Sequence, residues 1–299
     1  MIRKYLLLIF AVAFTGIVNA QNLLNAKTPD EITKNNVVKN DEGELVEEKD
    51  SPMDYGYIDD RDIMWSTTVW EILDLNEKLN LAYYYPIDTM NIGNERRSLF
   101  DALLRGIKNG EITEVYSDDY FTARKSLNEI NESLVRVDTL DVGIEQYNAG
   151  EPVSPEYIVR TSLTSRDITQ IKTKGIWYFD KRNGEMKYRL LALAPVSPDV
   201  NEMDSENPDM VELFWVWYPD TREVMSKTKV FNPKNTSFSL SYDNLLNARR
   251  FLGVIYKEDN VYGDRKVSEY IKENAMFQLL EAGKVKSRIR DFEMDLWNY

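Results

Sequence analysis

Apolar residues in the N-terminal third of the chain recur at helical spacing in two segments. The first begins at Thr68, which forms a capping-box pattern with Glu71, and continues through four apolar positions: Val69, Ile72, Leu73 and Leu79. The second is ERRSLFDALLRGIKNG, and its apolar stripe consists of Leu99, Phe100, Leu103, Leu104 and Ile107. Gly110 is placed to end this second helix. The pattern therefore predicts two amphipathic helices.

The next segments alternate between short elements and a predicted loop. ITEVYS, residues 112–117, has the composition of a short strand, and DYFTARKSLNEINESL, residues 119–134, is typical of a third helix. Residues 138–156 contain Gly143, Gly150, Pro152 and Pro155. Because glycine and proline interrupt regular structure, we interpret residues 138–156 as a loop.

The middle of the chain has the pattern of a β-sheet. ITQIKTKGIWYFD and MKYRLLALAPV flank KRNGE, which predicts a hairpin whose turn contains Asn183 and Gly184. VELFWVWYP, residues 211–219, predicts a further strand. Its alternate positions are apolar on both faces, so we expect a central strand that is covered twice.

The C-terminal part returns to a helical pattern in LSYDNLLNARRFLGVIY and in KVSEYIKENAMFQLLEAGKVKSRIRDFEMDLWNY. The predicted fold class is α+β, with an antiparallel sheet (the hairpin plus the central strand) flanked by helices from the N-terminal and C-terminal parts.

The N-terminus has the pattern of an export signal. Residues 1–20 place Arg3 and Lys4 before an apolar run and small residues, which predicts a signal peptide cleaved between Ala20 and Gln21. Residues 21–54 are acidic and contain no aromatic residue. They are predicted to form a flexible leader, or an extended arm that orders along a neighbouring subunit. Residues 55–299 are predicted to form a single domain.

Charge and composition narrow the function classes. The chain has 37 basic and 50 acidic residues and a net charge of −13, which disfavours nucleic acid as a partner. The absence of cysteine and histidine excludes cysteine nucleophiles, histidine bases and the usual zinc and copper sites. Three possibilities remain for the function: catalysis by carboxylates, catalysis by a serine and a lysine, or no catalysis. The acidic loop 199–209 is a weak calcium candidate, since it departs from the EF-hand order.

Several longer segments carry a resemblance to a known family. They are DDRDIMWSTTVWEILDLNEKLN, YYYPIDT, EVYSDDYF, GIWYFDKRNGEMKYRLLALAPV, LFWVWYPDTREV, NARRFLGVIYKEDNVYGDRKVSEYI and IRDFEMDLWNY. Together with RRSLFDALLRGIKNG they cover residues 55–299 and resemble the GldN/PorN family of gliding-motility proteins from Bacteroidetes.

The resemblance implies a periplasmic protein at the inner face of the outer membrane. Members of that family form a ring with a lipoprotein of the GldK/PorK family and contact a GldM/PorM-like motor protein. The ring supports type IX protein secretion and gliding motility. The resemblance implies no enzymatic activity, no cofactor and no metal. Two other hypotheses remain open, namely a peptidoglycan- or glycan-binding module and a carboxylate hydrolase.

The residues that carry the resemblance suggest a contact surface for partners. The first candidates are Asp60, Arg61, Asp62, Trp65 and Trp70, and the second candidates are Arg96 and Arg97. Tryptophan and arginine are enriched at protein interfaces. The alternative is that both tryptophans pack the first helix onto the sheet.

Two threonines form candidate modification sites. Thr89 and Thr139 each follow an aspartate and precede an apolar residue. This triplet resembles the O-glycosylation motif of the same phylum.

Overall fold

The computed structural model describes residues 37–39, 45–47, 52–88, 96–203, 205–230, 240–272 and 274–297. The chain divides into two compact units, Met1–Asp50 and Ser51–Tyr299. The described part of the first unit is an antiparallel pair, β1 (Val37–Lys39) and β2 (Leu45–Glu47), within the predicted arm. The predicted cleavage site between Ala20 and Gln21 lies outside the described residues, as does Thr89.

The second unit is built on a seven-stranded sheet. Six of its strands form one path, in the spatial order β13 (Val254–Glu258), β3 (Ile63–Asp74), β7 (Gln170–Asp180), β8 (Glu185–Pro198), β10 (Trp215–Trp217) and β4 (Val115–Tyr116). Strand β9 (Met210–Glu212) pairs with the end of β8. All these pairs are antiparallel, which confirms the predicted α+β class.

Two small ribbons and eight α-helices complete the described part of the chain. The ribbons pair β5 (Val135–Thr139) with β6 (Ile158–Ser162) and β11 (Lys229–Val230) with β12 (Leu240–Ser241). The helices are α1 (Leu81–Tyr84), α2 (Leu99–Lys108), α3 (Leu127–Leu134), α4 (Asp141–Asn148), α5 (Tyr218–Lys227), α6 (Tyr242–Asn247), α7 (Val267–Tyr270) and α8 (Ala275–Trp297). Short 3₁₀ turns cover Asp60–Asp62 and Pro155–Tyr157.

The helix predicted from Thr68 is wrong, because Thr68 to Leu73 lie inside strand β3 and Leu79 lies in the turn region that follows it. β3 is hydrogen-bonded to β13 on one side and to β7 on the other. Its neighbouring residues Val69 and Trp70 are both buried, and they pack in different clusters on opposite faces of the sheet. Because both faces are covered, the strand lacks the polar alternation that would have distinguished it from a helix.

The second predicted helix is confirmed as α2. The Ser98 side chain caps its start by accepting a hydrogen bond from the Asp101 backbone N–H at 3.2 Å. Gly110 follows its end with a φ of 73°, in the left-handed region where glycine is favoured. The third predicted helix is confirmed over Leu127–Leu134 only.

The predicted hairpin is confirmed as β7 and β8, and Gly184 closes its turn with a φ of 65°. The predicted central strand of residues 211–219 is divided into β9 and β10. β10 lies between β8 and β4 with Trp215 and Val216 fully buried, as expected for a strand covered twice. Helix α5 begins at Tyr218 with a proline in its first turn, which ends the strand earlier than predicted.

Two further segments differ from their predictions. Residues 138–156, interpreted as a loop, contain helix α4, which includes Gly143 and ends before Gly150, Pro152 and Pro155. The segment LSYDNLLNARRFLGVIY forms the short helix α6 and then enters β13, the edge strand beside β3. In both cases the element depends on contacts with other parts of the chain, which the local composition does not contain.

The sheet has a helix-covered face and a second face with a smaller cluster. Helices α2, α5 and α6 contribute to the main core, and α8 covers β3 and β13 through Ala282, Val285 and Ile289. On the second face, Trp70 packs with Trp215 and with two alanines of β8. The sheet therefore separates the surroundings of residues 65 and 70, which belong to the same strand.

Candidate interaction surface

The turn before β3 presents charged side chains to solvent. Asp59 accepts hydrogen bonds from the Arg61 backbone N–H at 3.1 Å and from its guanidinium nitrogens at 2.9 and 3.0 Å. Hydrogen bonding to Arg61 lowers the pKa of the Asp59 carboxyl below its ordinary value. The Arg61 side chain is 87% exposed, and Asp60 is also exposed. Asp62 is half-buried and lies 3.7 Å from Arg182.

Trp65 connects this turn to the C-terminal helix. Its ring stacks on Phe292 of α8 with 4.7 Å between the ring centroids and an interplanar angle of 25°. Trp65 is half-buried, and it packs against the small core under α8 that includes Val69. The neighbouring Met64 is 55% exposed. Trp65 is therefore placed at the border between the core and the surface.

Trp70 is a core residue, so it is removed from the predicted partner-contact surface. Its side chain is 2% exposed and lies on the face of the sheet opposite to Trp65. The ammonium groups of Lys257 and Lys174 lie 4.2 and 4.9 Å from its ring centroid, in cation–π geometry. Lys257 is held there by Asp119 at 2.6 Å. The burial of Trp70 supports the alternative that this tryptophan packs in the core. It does so from a strand and not from the predicted helix.

The second pair of candidates is also divided by burial. Arg97 is 9% exposed and donates to the Asp101 carboxylate at 2.8 Å, while its backbone carbonyl accepts a hydrogen bond from Tyr242 at 2.7 Å. Arg97 therefore stabilises the start of α2 through these contacts, and it is removed from the predicted partner-contact surface. Arg96 is exposed, and its backbone forms a bridge with Lys229.

The outer side of α8 is an apolar surface that the sequence reasoning missed. Five large apolar side chains of this helix are 53–66% exposed: Met276, Phe277, Leu279, Leu280 and Met294. An open groove of about 730 Å³ runs along the helix, and Phe292 is part of its lining. Phe292 also stacks on Trp65, so this residue joins the groove to the strand that follows the charged turn. The signal in the sequence was that apolar residues of this helix occupy more than one stripe.

Two carboxylates within the second unit, Glu71 and Glu258, are engaged in ion pairs with arginines. Glu71 is fully buried and receives Arg249 at 2.6 and 2.8 Å. Burial raises the pKa of Glu258, while its ion pair with Arg288 opposes this effect. In the described ranges, no three acidic residues are grouped so that they could hold a metal ion.

Thr139 lies at the end of β5 and its side chain is exposed. Exposure is what a modifying enzyme requires, so O-glycosylation of Thr139 stays a prediction. Mass spectrometry of the native protein would test it.

Comparison with known proteins gives one family. The family described as "Gliding motility associated protein GldN" matches residues 58–298. No curated protein matches the chain. Among the helices in the described ranges, none combines the length and apolar character that crossing a membrane requires. Since the match includes the charged turn, the whole sheet and all of α8, the chain belongs to the GldN family of gliding-motility-associated proteins.

Proposed function

We propose that this protein is a non-catalytic structural component of a periplasmic ring that supports type IX secretion and gliding motility. In this role it assembles with copies of itself and with a GldK/PorK-like outer-membrane lipoprotein, and it contacts a GldM/PorM-like motor protein. The observation that carries the proposal is the family match over residues 58–298. The predicted signal peptide supports a periplasmic location.

The surface formed by the 59–65 turn and α8 fits the requirements of such an assembly. This surface can supply one of the two different patches that head-to-tail ring contacts require on each copy. The turn offers the exposed charges of Asp60 and Arg61, and the adjoining helix offers an apolar groove beside Trp65 and Phe292. A charged rim beside an apolar centre is the usual composition of a protein interface.

Three tryptophans that the glycan-binding alternative could use are occupied within the fold, whereas Tyr57 and Tyr147 are exposed. Trp177 lies 4.7 Å beneath the Arg249 guanidinium, and the Trp217 ring meets Phe121 edge to face at 5.1 Å. Trp215 is fully buried. Sugar stacking requires an open aromatic face, so the packing of these rings favours the assembly role.

Co-expression tests the proposal directly. Residues 21–299 would be produced with the GldK-like lipoprotein of the same genome, without its lipid anchor, and analysed by size-exclusion chromatography with light scattering and negative-stain imaging. We expect a large closed particle. We further expect Arg61→Glu to weaken it at least tenfold without changing the Tm, because the side chain is 87% exposed.

Arg160→Glu is the matched control, since Arg160 is also exposed but lies on the β5–β6 ribbon. It should leave assembly intact. The experiment would be repeated with the full lipoprotein in detergent. If the two folded proteins elute separately in both experiments, the ring proposal is contradicted. Equal loss of assembly in both variants would contradict only the proposed surface.

A further inference from the structure

A small pocket of about 280 Å³ lies between helix α8 and the sheet. The apolar part of its lining consists of four side chains: Trp177 of β7, Met186 of β8, Ile255 of β13 and Ile289 of α8. Ile255 and Ile289 are only 2% and 5% exposed. None of the described residues that line this pocket also lines the open groove on the outer side of α8. The pocket is therefore separate from that groove.

The charged part of the lining is mainly cationic, although the chain as a whole has a net charge of −13. Lys286 and Arg290 of α8 are exposed, and Arg249 is half-buried. Glu293 is the one carboxylate among the described lining residues. The pocket thus joins buried apolar side chains to an exposed positive side.

The fold leaves hydrogen-bonding capacity of these cations unused. The Lys286 ammonium donates to the Gly253 carbonyl, and no described carboxylate lies within ion-pairing distance of it. Burial lowers the pKa of Lys286 below its ordinary value, because the charged form is poorly compensated. Arg249 is bound to Glu71 through one terminal nitrogen, while its buried Nε has no hydrogen-bond partner among the described residues. This side of the pocket therefore lacks acceptors.

Arg290 is already paired within the chain, and its contribution is smaller. It lies 3.1 Å from Asp291, and both side chains are well exposed, at 66% and 59%. Ion pairs between exposed side chains contribute little and are screened by salt. Lys286 is therefore the main candidate for holding an anion, and Arg290 adds positive charge beside it.

We propose that this pocket binds a small monocarboxylate that carries a short apolar chain. The chain packs on Ile255 and Ile289, and the carboxylate accepts a hydrogen bond from the Lys286 ammonium. The volume is close to the lower limit of about 300 Å³ for ligand pockets, so the ligand is small. Glu293 repels a second negative charge, which favours a monoanion over a dianion.

Two sources share this chemistry, namely a fatty acid and the carboxyl end of a peptide whose last side chain is apolar. The site does not depend on the proposed secretion role.

Isothermal titration calorimetry of residues 21–299 tests the proposal with four probes: octanoate, acetate, 1-octanol and N-acetylleucine. Octanoate, kept below its micelle concentration, should bind saturably with a Kd below about 1 mM. Acetate and 1-octanol should each bind at least about tenfold more weakly, because one lacks the chain and the other lacks the charge. Saturating octanoate should also raise the Tm, since it binds the folded state. Whether N-acetylleucine binds more tightly than octanoate distinguishes a peptide end from a fatty acid.

Lys286→Met keeps an unbranched side chain and removes the charge, so it should weaken octanoate binding about tenfold and leave 1-octanol binding unchanged. Lys284→Met is the matched control, because Lys284 is exposed on the same helix and lies outside the pocket. It should bind octanoate like the wild type. Arg290→Met is a second variant at an exposed position, and it should weaken octanoate binding severalfold.

Circular dichroism and thermal melting of each variant check that the fold is retained. The proposal is overturned if octanoate shows no saturable binding to the wild type, or if 1-octanol binds as tightly as octanoate. It is also overturned if folded Lys286→Met and Arg290→Met both bind octanoate like the wild type, or if Lys284→Met weakens binding as much as Lys286→Met.

Discussion

Gly175 lies directly against the side chain of Tyr188 in the sheet. A β-bulge separates Lys174 from Gly175 in the pairing of β7 with β8. The ring of Tyr188 occupies the space where a Cβ of residue 175 would lie. Burial raises the pKa of Tyr188 above its usual range. The ring also lies against the guanidinium of Arg249, which is bound to the fully buried Glu71.

We expect Gly175→Ala to lower the free energy of unfolding by about 1–3 kcal/mol, because the added methyl group overlaps the hydroxyl end of a buried ring. Gly283→Ala is the matched control in open space, and it should raise the free energy of unfolding by about 0.5–1 kcal/mol. Urea unfolding of both variants measures the difference. Equal effects of the two substitutions would show that Tyr188 moves aside.

The two tryptophans of β3 show which residue properties escape prediction. Trp65 and Trp70 were predicted together as contact residues, yet one lies beside Phe292 at the surface and the other is 2% exposed on the opposite face. Their types are identical, and five positions separate them. In a strand, an odd separation places side chains on opposite faces of the sheet. The element had to be known first.

At the scale of elements, the loop between β4 and α3 is held by one carboxylate. Asp118 accepts hydrogen bonds from the backbone N–H of Tyr120 at 2.8 Å, Ala123 at 3.0 Å and Thr122 at 3.1 Å, and from the Thr122 hydroxyl at 2.7 Å. Burial alone would raise the pKa of Asp118, but these hydrogen bonds outweigh it and lower the pKa to about 2. The loop also carries Phe121 at a φ of 61°.

Because the folded-state pKa of Asp118 lies below its unfolded value, its contribution to stability is complete above about pH 4 and is lost as the pH falls towards 2. We expect Asp118→Asn to be less stable than the wild type at pH 6, and the gap to narrow between pH 4 and pH 2. Urea midpoints at several pH values measure it. A gap that stays constant over this range would refute the assignment.

At the scale of the whole molecule, the segment before the turn is tied into the second unit. The Tyr55 ring lies between the guanidinium groups of Arg222 at 4.0 Å and Arg189 at 4.6 Å. Arg222 also donates to the Met53 carbonyl and to Asp243, both within a cleft of about 660 Å³. The second compact unit begins at residue 51 and therefore includes these contacts.

We therefore expect a chain that begins at residue 51 to fold by itself, and a chain that begins at residue 59 to have a Tm several degrees lower. The second truncation removes Tyr55 and leaves the buried face of Arg222 without its aromatic cover. Differential scanning calorimetry of the two truncated chains measures the shift. Identical melting temperatures would mean that residues 51–58 contribute nothing to the folded unit.

The sequence by itself determined the elements whose signals are local. Ser98 and Gly110 delimit α2, Asn183 and Gly184 close the hairpin, and the longer motifs identify the GldN family. The tertiary structure decided that residues 63–74 form a strand, since their apolar pattern satisfies a helix and a doubly covered strand equally well. It also decided which face of α8 is buried against the sheet and which stays open. Both choices depend on contacts between residues far apart in the chain, and local sequence patterns do not contain those contacts.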